Sequence, residues 1–330
     1  DTQPNHRFYE SQGIKTEGSF FAKATQKLTS KLTGFLDLQF RGIDYNVDGT
    51  VSGPQDFSVD DQFAFFNPKA GLTFMLSQKQ NLYFSYAKAQ REPNRTDYEN
   101  GSPKPEKLND FELGWRMKKE KIQAQANLYW MEYQDQLVLT GAIDEVGAPI
   151  RQNVGKSRRV GIEIEATIQL ADQWLFKPNL AVSSNQNLDF YFKRDGILQS
   201  LGKTQLAYSP NIVGGNALVY APSTHFQVGL LSKYVGKQYM GNINSENSSL
   251  PSYFISDINA VFSWQPKKWV KEIQWSTTIN NIFNLKYLSN GYFYTYDDDW
   301  TSPGQTTTIE GAGYYPQAGL HFLSGLKLIF

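Results

Sequence analysis

The chain of 330 residues contains no cysteine. That removes disulfides, thiolate metal sites and cysteine nucleophiles together. It has no apolar stretch near 18 residues, which excludes a bundle of membrane-spanning helices. It has no excess of either charge: Lys+Arg and Asp+Glu stand at 32 each. A nucleic-acid partner would want a basic stripe, so none is expected. Histidine is scarce, and His6, His225 and His321 fit no zinc spacing. No glycine-rich phosphate loop follows a strand and opens a helix. The opening DTQPNHRFYE lacks the positive and apolar regions of a signal peptide. A mature, processed or truncated chain would look the same.

Aromatic residues, by contrast, are plentiful at 15%, with 19 Tyr, 22 Phe and 7 Trp. Helical spacing is nowhere sustained, whereas a two-residue period recurs from end to end. From Val160, the apolar Ile162, Ile164, Ala166, Ile168 and Leu170 fall on one face. Gly161, Glu163, Glu165, Thr167 and Gln169 fall on the other. A strand alternates its side chains, so this pattern gives one oily and one wet face. Leu36/Leu38/Phe40 and Ile122/Ala124/Ala126/Leu128/Trp130 repeat it. The mean hydropathy of −0.48 is compatible with a barrel, whose strands meet lipid on alternate residues only.

About thirteen strands are expected, over residues 15–26, 32–44, 63–76, 81–91, 107–118, 121–137, 155–170, 174–188, 204–220, 225–240, 251–265, 270–288 and 314–330. Short turns (29–31, 77–80, 118–121, 171–173, 221–224, 265–269) alternate with long connections (45–62, 92–106, 138–154, 189–203, 241–250, 289–313). Outer-membrane barrels alternate in this way, with tight periplasmic turns and long outer loops. Soluble sandwiches average five to six residues per strand, and many segments here exceed ten. The fold expected is therefore all-β, an antiparallel transmembrane β-barrel. The C-terminus falls at the short-turn, periplasmic end, and thirteen strands counted back place Asp1 on the long-loop side. Bacterial single-chain barrels have even strand numbers. The odd count thus implies missing first strands or a miscount by one. Open edges in lipid leave backbone groups unpaired, so residues 1–330 are not expected to stand alone.

Several segments resemble TonB-dependent outer-membrane receptors. They are NLYFSYAKAQREP (81–93), KPEKLNDFELGW (104–115), NVGKSRRVGIEIE (153–165), YVGKQYM (234–240), WSTTINNIFNLKYLSNGY (275–292) and YYPQAGLHFLSGLKLIF (314–330). Each is weak alone, but six in family order carry weight; a Bacteroidetes-like member is suggested. The resemblance implies a 22-stranded barrel plugged in its lumen. Residues 1–330 would be the C-terminal part of the barrel domain, about its last 13 strands, without the plug and first strands. It also implies active uptake of a scarce solute across the outer membrane of a Gram-negative bacterium, with a ferric siderophore or other metal chelate as the leading substrate class. Coupling to the inner-membrane TonB complex would run through the missing N-terminus. Outer-membrane lipid and lipopolysaccharide, with a possible surface lipoprotein, are the other partners. A passive porin and a glycan or peptide uptake receptor are the alternatives, and an enzyme or adhesin barrel a further one. No resident cofactor is implied, although the ligand itself can be an iron chelate.

No catalytic constellation emerges, and an enzyme is not expected. Glu163 and Glu165 share the lumen face, where ion pairing with lumen Arg or Lys outweighs acid/base chemistry. His321 shares that face and reads as a solvated lumen residue before a ligand contact. Arg91, Arg95 and Tyr98, in a loop that also holds Lys104, are candidate contacts for an anionic chelate. They read equally as lipopolysaccharide phosphate contacts or loop scaffolding. Tyr294 and Trp300 flank Asp297, Asp298 and Asp299, which read as a hard-oxygen calcium site or as a solvated outer loop. Trp115, Trp130, Trp264, Trp269 and Trp275 suit interfacial girdles. Phe322, Leu326, Leu328 and Phe330 are expected on the lipid face of the last strand, with Lys327 opposite. The terminal aromatic resembles a barrel-assembly signal.

Overall fold

Alternation of small turn residues with long two-faced strands leaves the chain one economical solution, an antiparallel meander. The computed structural model has this form. It describes residues 10–51, 55–99, 101–143, 149–266 and 269–330, so His6 lies outside the described residues. The strands are β1 (Glu10–Lys27), β2 (Leu32–Val51), β3 (Gln55–Ser77), β4 (Gln80–Arg91), β5 (Glu106–Lys118), β6 (Ile122–Ile143), β7 (Pro149–Ala171), β8 (Trp174–Arg194) and β9 (Ile197–Gln205). They continue with β10 (Ile212–Ser223), β11 (Phe226–Val235), β12 (Gln238–Tyr239), β13 (Ser249–Leu250), β14 (Tyr253–Trp264), β15 (Glu272–Asn280), β16 (Leu288–Asp298), β17 (Thr307–Pro316) and β18 (His321–Ile329). A short helix, α1 (Arg95–Tyr98), follows β4, and a 3-10 turn spans Glu246–Ser248.

The main path runs β1-β2-β3-β4-β5-β6-β7-β8-β10-β11-β14-β15-β18, which is thirteen strands, as the sequence period implied. Every neighbouring pair in it is antiparallel. Among the described residues no pairing joins β1 to β18. The register stacks apolar residues on one face from strand to strand. One row reads Leu72–Phe84–Leu113–Leu128–Ile162–Val182–Ile212. Phe262, Trp275 and Leu326 align similarly near the other end. Apart from the half-buried Ile162 these side chains are exposed, Leu113 and Leu128 each at 49%. A slip of one residue would turn the whole row inward, so the apolar pattern itself specifies the register.

The opposite face is polar. Gly114, Asn127, Glu163 and Ala181 form one of its rows. Tyr83 Oη donates to Asn127 Oδ1 at 3.0 Å, and Arg116 lies 4.2 Å over the Tyr83 ring. Glu165 Oε1 accepts from Gln125 Nε2 at 2.7 Å. An amide, rather than the expected cation, therefore partners this carboxylate.

Four sequence expectations need correction. Residues 204–220 are two strands: β9 folds back on β8, and β10 alone joins the main path. Residues 314–330 also divide, because Tyr314 and Tyr315 belong to β17 and the closing segment is β18 alone. Residues 270–288 shorten to β15, and residues 225–240 to β11 with the separate β12. The long connections are largely ordered: β2, β3, β6, β7 and β8 run 20–23 residues. About ten residues cross a bilayer, so roughly half of each strand projects beyond it on the long-loop side. Strand propensity persists there, with the ladder interrupted only locally, as by the register shift between Leu139 and Ile143.

The buried apolar cluster sits in this projecting layer and not in the wall. Phe190, Phe192, Val138, Val154 and Leu206 pack together, with Leu201 and Ile243 against them. Beside them Asn242 Nδ2 donates to the Leu139 carbonyl at 2.7 Å, and its Oδ1 accepts from Ala207 N at 2.9 Å. Asn187 Nδ2 donates to Thr204 Oγ1 and to Asn242 Oδ1. Buried amides paired in this way fix loop geometry, since breaking one strands its partner.

Candidate functional site

Two groups in the projecting layer hold the candidate residues. The first surrounds the β4–β5 connection. Asn94 caps α1: its Oδ1 accepts from Asp97 N at 3.2 Å, and Asp97 Oδ2 accepts from Asn94 N at 2.9 Å, a capping box. Asp97 is buried, with Arg151 Nε 3.2 Å away. Arg91 Nη2 lies 2.8 Å from Glu106 Oε2, and Glu106 Oε1 accepts from Leu137 N at 2.7 Å. Arg95 bonds Glu99 at 2.8 Å and covers the Phe57 ring at 5.7 Å. Lys15 and Arg41 reach in from β1 and β2 to Glu92 Oε1, at 2.6 and 3.3 Å. Burial works to raise the Glu92 carboxyl, yet the Lys15 bond and the Arg41 charge hold it below the usual range.

Tyr98 Oη donates to Asp61 Oδ2 at 2.6 Å, and its ring lies 6.0 Å from Tyr45. Burial first, then that hydrogen bond to a carboxylate, pushes the phenol well up, so Tyr98 stays a neutral donor. A cavity of about 330 Å³ opens here, lined in part by Lys15, Tyr45, Arg91, Glu92 and Arg95. Arg91 and Arg95 are thus together and each has a carboxylate partner, whereas Lys104 is held through its backbone by Asn153. An incoming anion would exchange with carboxylates rather than meet bare charge.

The second group is the β16–β17 hairpin. It leaves the sheet between β15 and β18 and meets β6 in one parallel bridge, Thr295 to Ala142. One of its faces docks on neighbouring loops. Glu310 accepts from Arg194 Nη2 at 2.6 Å, Ser245 Oγ and Asn247 Nδ2 at 3.0 Å. Burial alone would raise the Glu310 carboxyl; these three donors outweigh it and hold it below the usual range. Thr308 and Asp195 exchange two bonds at 2.7 and 2.8 Å. Tyr314 Oη donates to the Asn247 carbonyl, and Tyr208 Oη to that of Gly291. On the other face Tyr292, Tyr294 and Tyr296 form a row that continues to Trp300.

The three aspartates do not converge. Asp297 lies on the docking face, 3.5 Å from Lys193 and accepting from Thr308 Oγ1. Asp298 caps the following turn through Trp300 N and Thr301 N. No cluster of three or more potential metal ligands occurs among the described residues. Strand alternation is the reason, since consecutive residues point to opposite faces. His321 is exposed at the head of β18, its Nδ1 2.8 Å from the Gly319 carbonyl. Phe322, Leu326 and Leu328 face the same side as Ile279, Trp275 and Ile273, and Phe330 is exposed beyond them.

A wall with an oily outer face, tight turns at one end and folded loops at the other has a known counterpart. Residues 1–285 match the family described as TonB dependent receptor-like, beta-barrel. The chain belongs to that family. Family barrels are outer-membrane proteins of Gram-negative bacteria, so the oily face is the lipid face. The catecholate siderophore receptor Fiu of Escherichia coli is 21% identical over 287 residues, covering 78% of this chain and 32% of that protein. The crystal structure of the siderophore receptor PiuA from Acinetobacter baumannii superposes with a TM-score of 0.69 at 17% identity, over 96% of this chain and 44% of that one. The copper transporter OprC gives 0.68 at 18%, over 95% and 48%. The chain therefore spans about a third of the curated relatives it matches and under half of these solved chains.

The family motifs turn out to be brackets at the boundary between wall and loops. Asn153 Oδ1 accepts from Lys104 N at 2.7 Å, while its Nδ2 donates to the Lys104 and Asp135 carbonyls. Asn281 Nδ2 donates to Leu285 O and its Oδ1 accepts from Leu285 N, and Asn284 Oδ1 accepts from Leu320 N. Sequence reasoning missed Glu310, Glu92, Tyr292 and Tyr296. The alternation of Tyr292, Tyr294 and Tyr296 opposite Gly311 and Gly313 was the available signal for the last two.

Proposed function

We propose that this chain is the C-terminal part of the barrel domain of a TonB-dependent receptor that takes up a scarce metal chelate, of the ferric siderophore class first, across the outer membrane. The family match over residues 1–285 carries the reading. The names of the relatives support the substrate class: a catecholate siderophore receptor, and among solved structures a ferric yersiniabactin receptor and a ferric citrate transporter. In this reading a plug and further strands complete the barrel, and the inner-membrane TonB complex supplies the energy. In the same reading the C-terminus is periplasmic, which the course of β18 from the long-loop end to the end where β15 begins supports. Outer-membrane lipid meets the apolar rows.

The Arg91–Arg95 cavity is the chelate contact of choice. Guanidinium forks match the oxygen faces of an anionic complex, and the neighbouring carboxylates keep the empty site soluble and balanced. The test is growth on single defined iron sources after deletion of the gene. A defect confined to one chelate class is expected. Normal growth on all of them, with slower permeation of small solutes, would favour a passive channel instead. Complementation with Arg91→Ala/Arg95→Ala should restore the receptor to the membrane while lowering chelate uptake about tenfold, the loss of one or two charge-assisted bonds.

A further inference from the structure

The β16–β17 hairpin turns a row of aromatics away from its support. Glu310, Thr308 and Asp297, with Phe293 and Tyr314, lie on the face that docks on neighbouring loops, while Tyr292, Tyr294 and Tyr296 lie on the other. An ordinary surface hairpin does the reverse, and exposed aromatic rows without a use are selected against. Tyr292 is 49% exposed, Tyr296 39% and Trp300 66%.

The row is regular. Ring centroids follow at 6.2 Å from Tyr292 to Tyr294, 6.4 Å to Tyr296 and 5.9 Å to Trp300, with planes within 18° of parallel at each step. Two glycines make room for it. Gly313 pairs with Tyr292 and Gly311 with Tyr294. A Cβ on either would sit 2.4 Å from ring atoms of its tyrosine, so each ring lies across the facing strand. The register puts Tyr315, Ile309, Thr307 and Asp298 on this same face. None of its residues is cationic. That separates it from the Arg91–Arg95 cavity and disfavours an anionic chelate.

We propose that the Tyr292–Tyr294–Tyr296–Trp300 row is a carbohydrate subsite that takes an extended, neutral, β-linked pyranose chain. The axial C–H face of a pyranose stacks on an aromatic ring, and the ring spacing is comparable to the repeat of successive sugars in such a chain. Four rings in line suit a straight chain, whereas an α-linked coil curves away after one or two contacts. Asp298 and Thr307, paired across the hairpin at the Trp300 end, supply oxygens for sugar hydroxyls. This subsite stands independently of the chelate reading.

The test uses the intact receptor in detergent, titrated calorimetrically with cellohexaose and with maltohexaose. Cellohexaose should bind and maltohexaose should bind at least tenfold more weakly. Trp300→Ala and Tyr294→Ala should each weaken cellohexaose on the order of tenfold, the scale of one stacked ring, while Tyr294→Phe should bind nearly as the native protein does. Gly311→Val removes no aromatic and touches no docking contact, yet by lifting the Tyr294 ring it should weaken binding similarly. Each variant is compared at equal heat-modifiable, folded receptor. Absence of cellohexaose binding, or equal binding by native receptor and the Trp300→Ala and Gly311→Val variants, would overturn the proposal. So would a result in which those variants alter partition into lipid vesicles but leave the sugar titration unchanged.

Discussion

The wall and the loop layer solve the same burial problem in opposite ways. In the wall the apolar side chains point outward, and rows such as Phe84–Leu113–Leu128 stay exposed until lipid covers them. In the loop layer Phe190, Phe192, Val138 and Leu206 cover one another. The wall owes its order to continuous backbone ladders. The loop layer combines an ordinary small core with side-chain brackets such as Asn242 and Glu310. One chain thus changes solvent along the length of β6, β7 and β8 while its apolar residues keep one alternation: Leu128 and Val138, Ile162 and Val154, and Val182 and Phe190 share their parity. The set that lipid covers in the wall is covered above it by the loop layer's own apolar residues.

The sharpest way to separate the two regions is to damage each by its own rule. Phe190→Ala, at 2% exposure in the loop core, should cost about 3–5 kcal/mol of local stability. The effect should appear as faster proteolysis and hydrogen exchange at β8–β9 and residues 236–252, with the wall still resistant. Simultaneous loss of both regions would show that they fold as a single unit. Leu128→Arg on the lipid face should destabilise the wall by about 2–4 kcal/mol near mid-membrane, measured by denaturant titration in lipid. Its neighbour Asn127→Arg, on the polar face, should be much milder. Equal effects would reverse the assignment of faces. Asn242→Leu comes next. It leaves the Leu139 carbonyl and Ala207 amide without their partner, at about 1–3 kcal/mol for the buried groups stranded, again confined to the loops.

The same contrast governs what the sequence disclosed. The thirteen-strand wall was readable because lipid and lumen impose a strict two-residue period over long segments. The turn ends were readable because tight connections need few residues. The loop layer was not readable as structure. Its strands β9, β16 and β17 pair with segments that a periodicity argument cannot align, and β16 reaches β6 through a single bridge. Motif residues were visible, but their work was not: Asn153 and Asn281 looked like family marks and prove to be clamps where wall meets loop. The aspartates 297–299 looked like one cluster because sequence adjacency hides the alternation that separates them. Arg91 and Arg95 were found as cations, whereas Glu106 and Glu99, which pair with them, were not.

The smallest expected effect tests whether the loop layer is a charge-locked assembly. Glu310 ties Arg194, Ser245 and Asn247 to the β16–β17 hairpin. Its folded-state pKa lies below the ordinary glutamate value of 4.5, because those donors outweigh the cost of burial. A depressed pKa means that the folded form prefers the carboxylate. Its stabilisation is therefore fully present above pH 4.5 and fades as pH falls through the lower, folded value. Hydrogen exchange in residues 194–197 and 245–249 should speed up over that acid range, with the wall rows unchanged. In Glu310→Gln the acceptor oxygen stays and the charge goes, so the same segments should already exchange faster at neutral pH and lose most of their acid dependence. An undiminished acid response in that variant would show that Glu310 is not the lock.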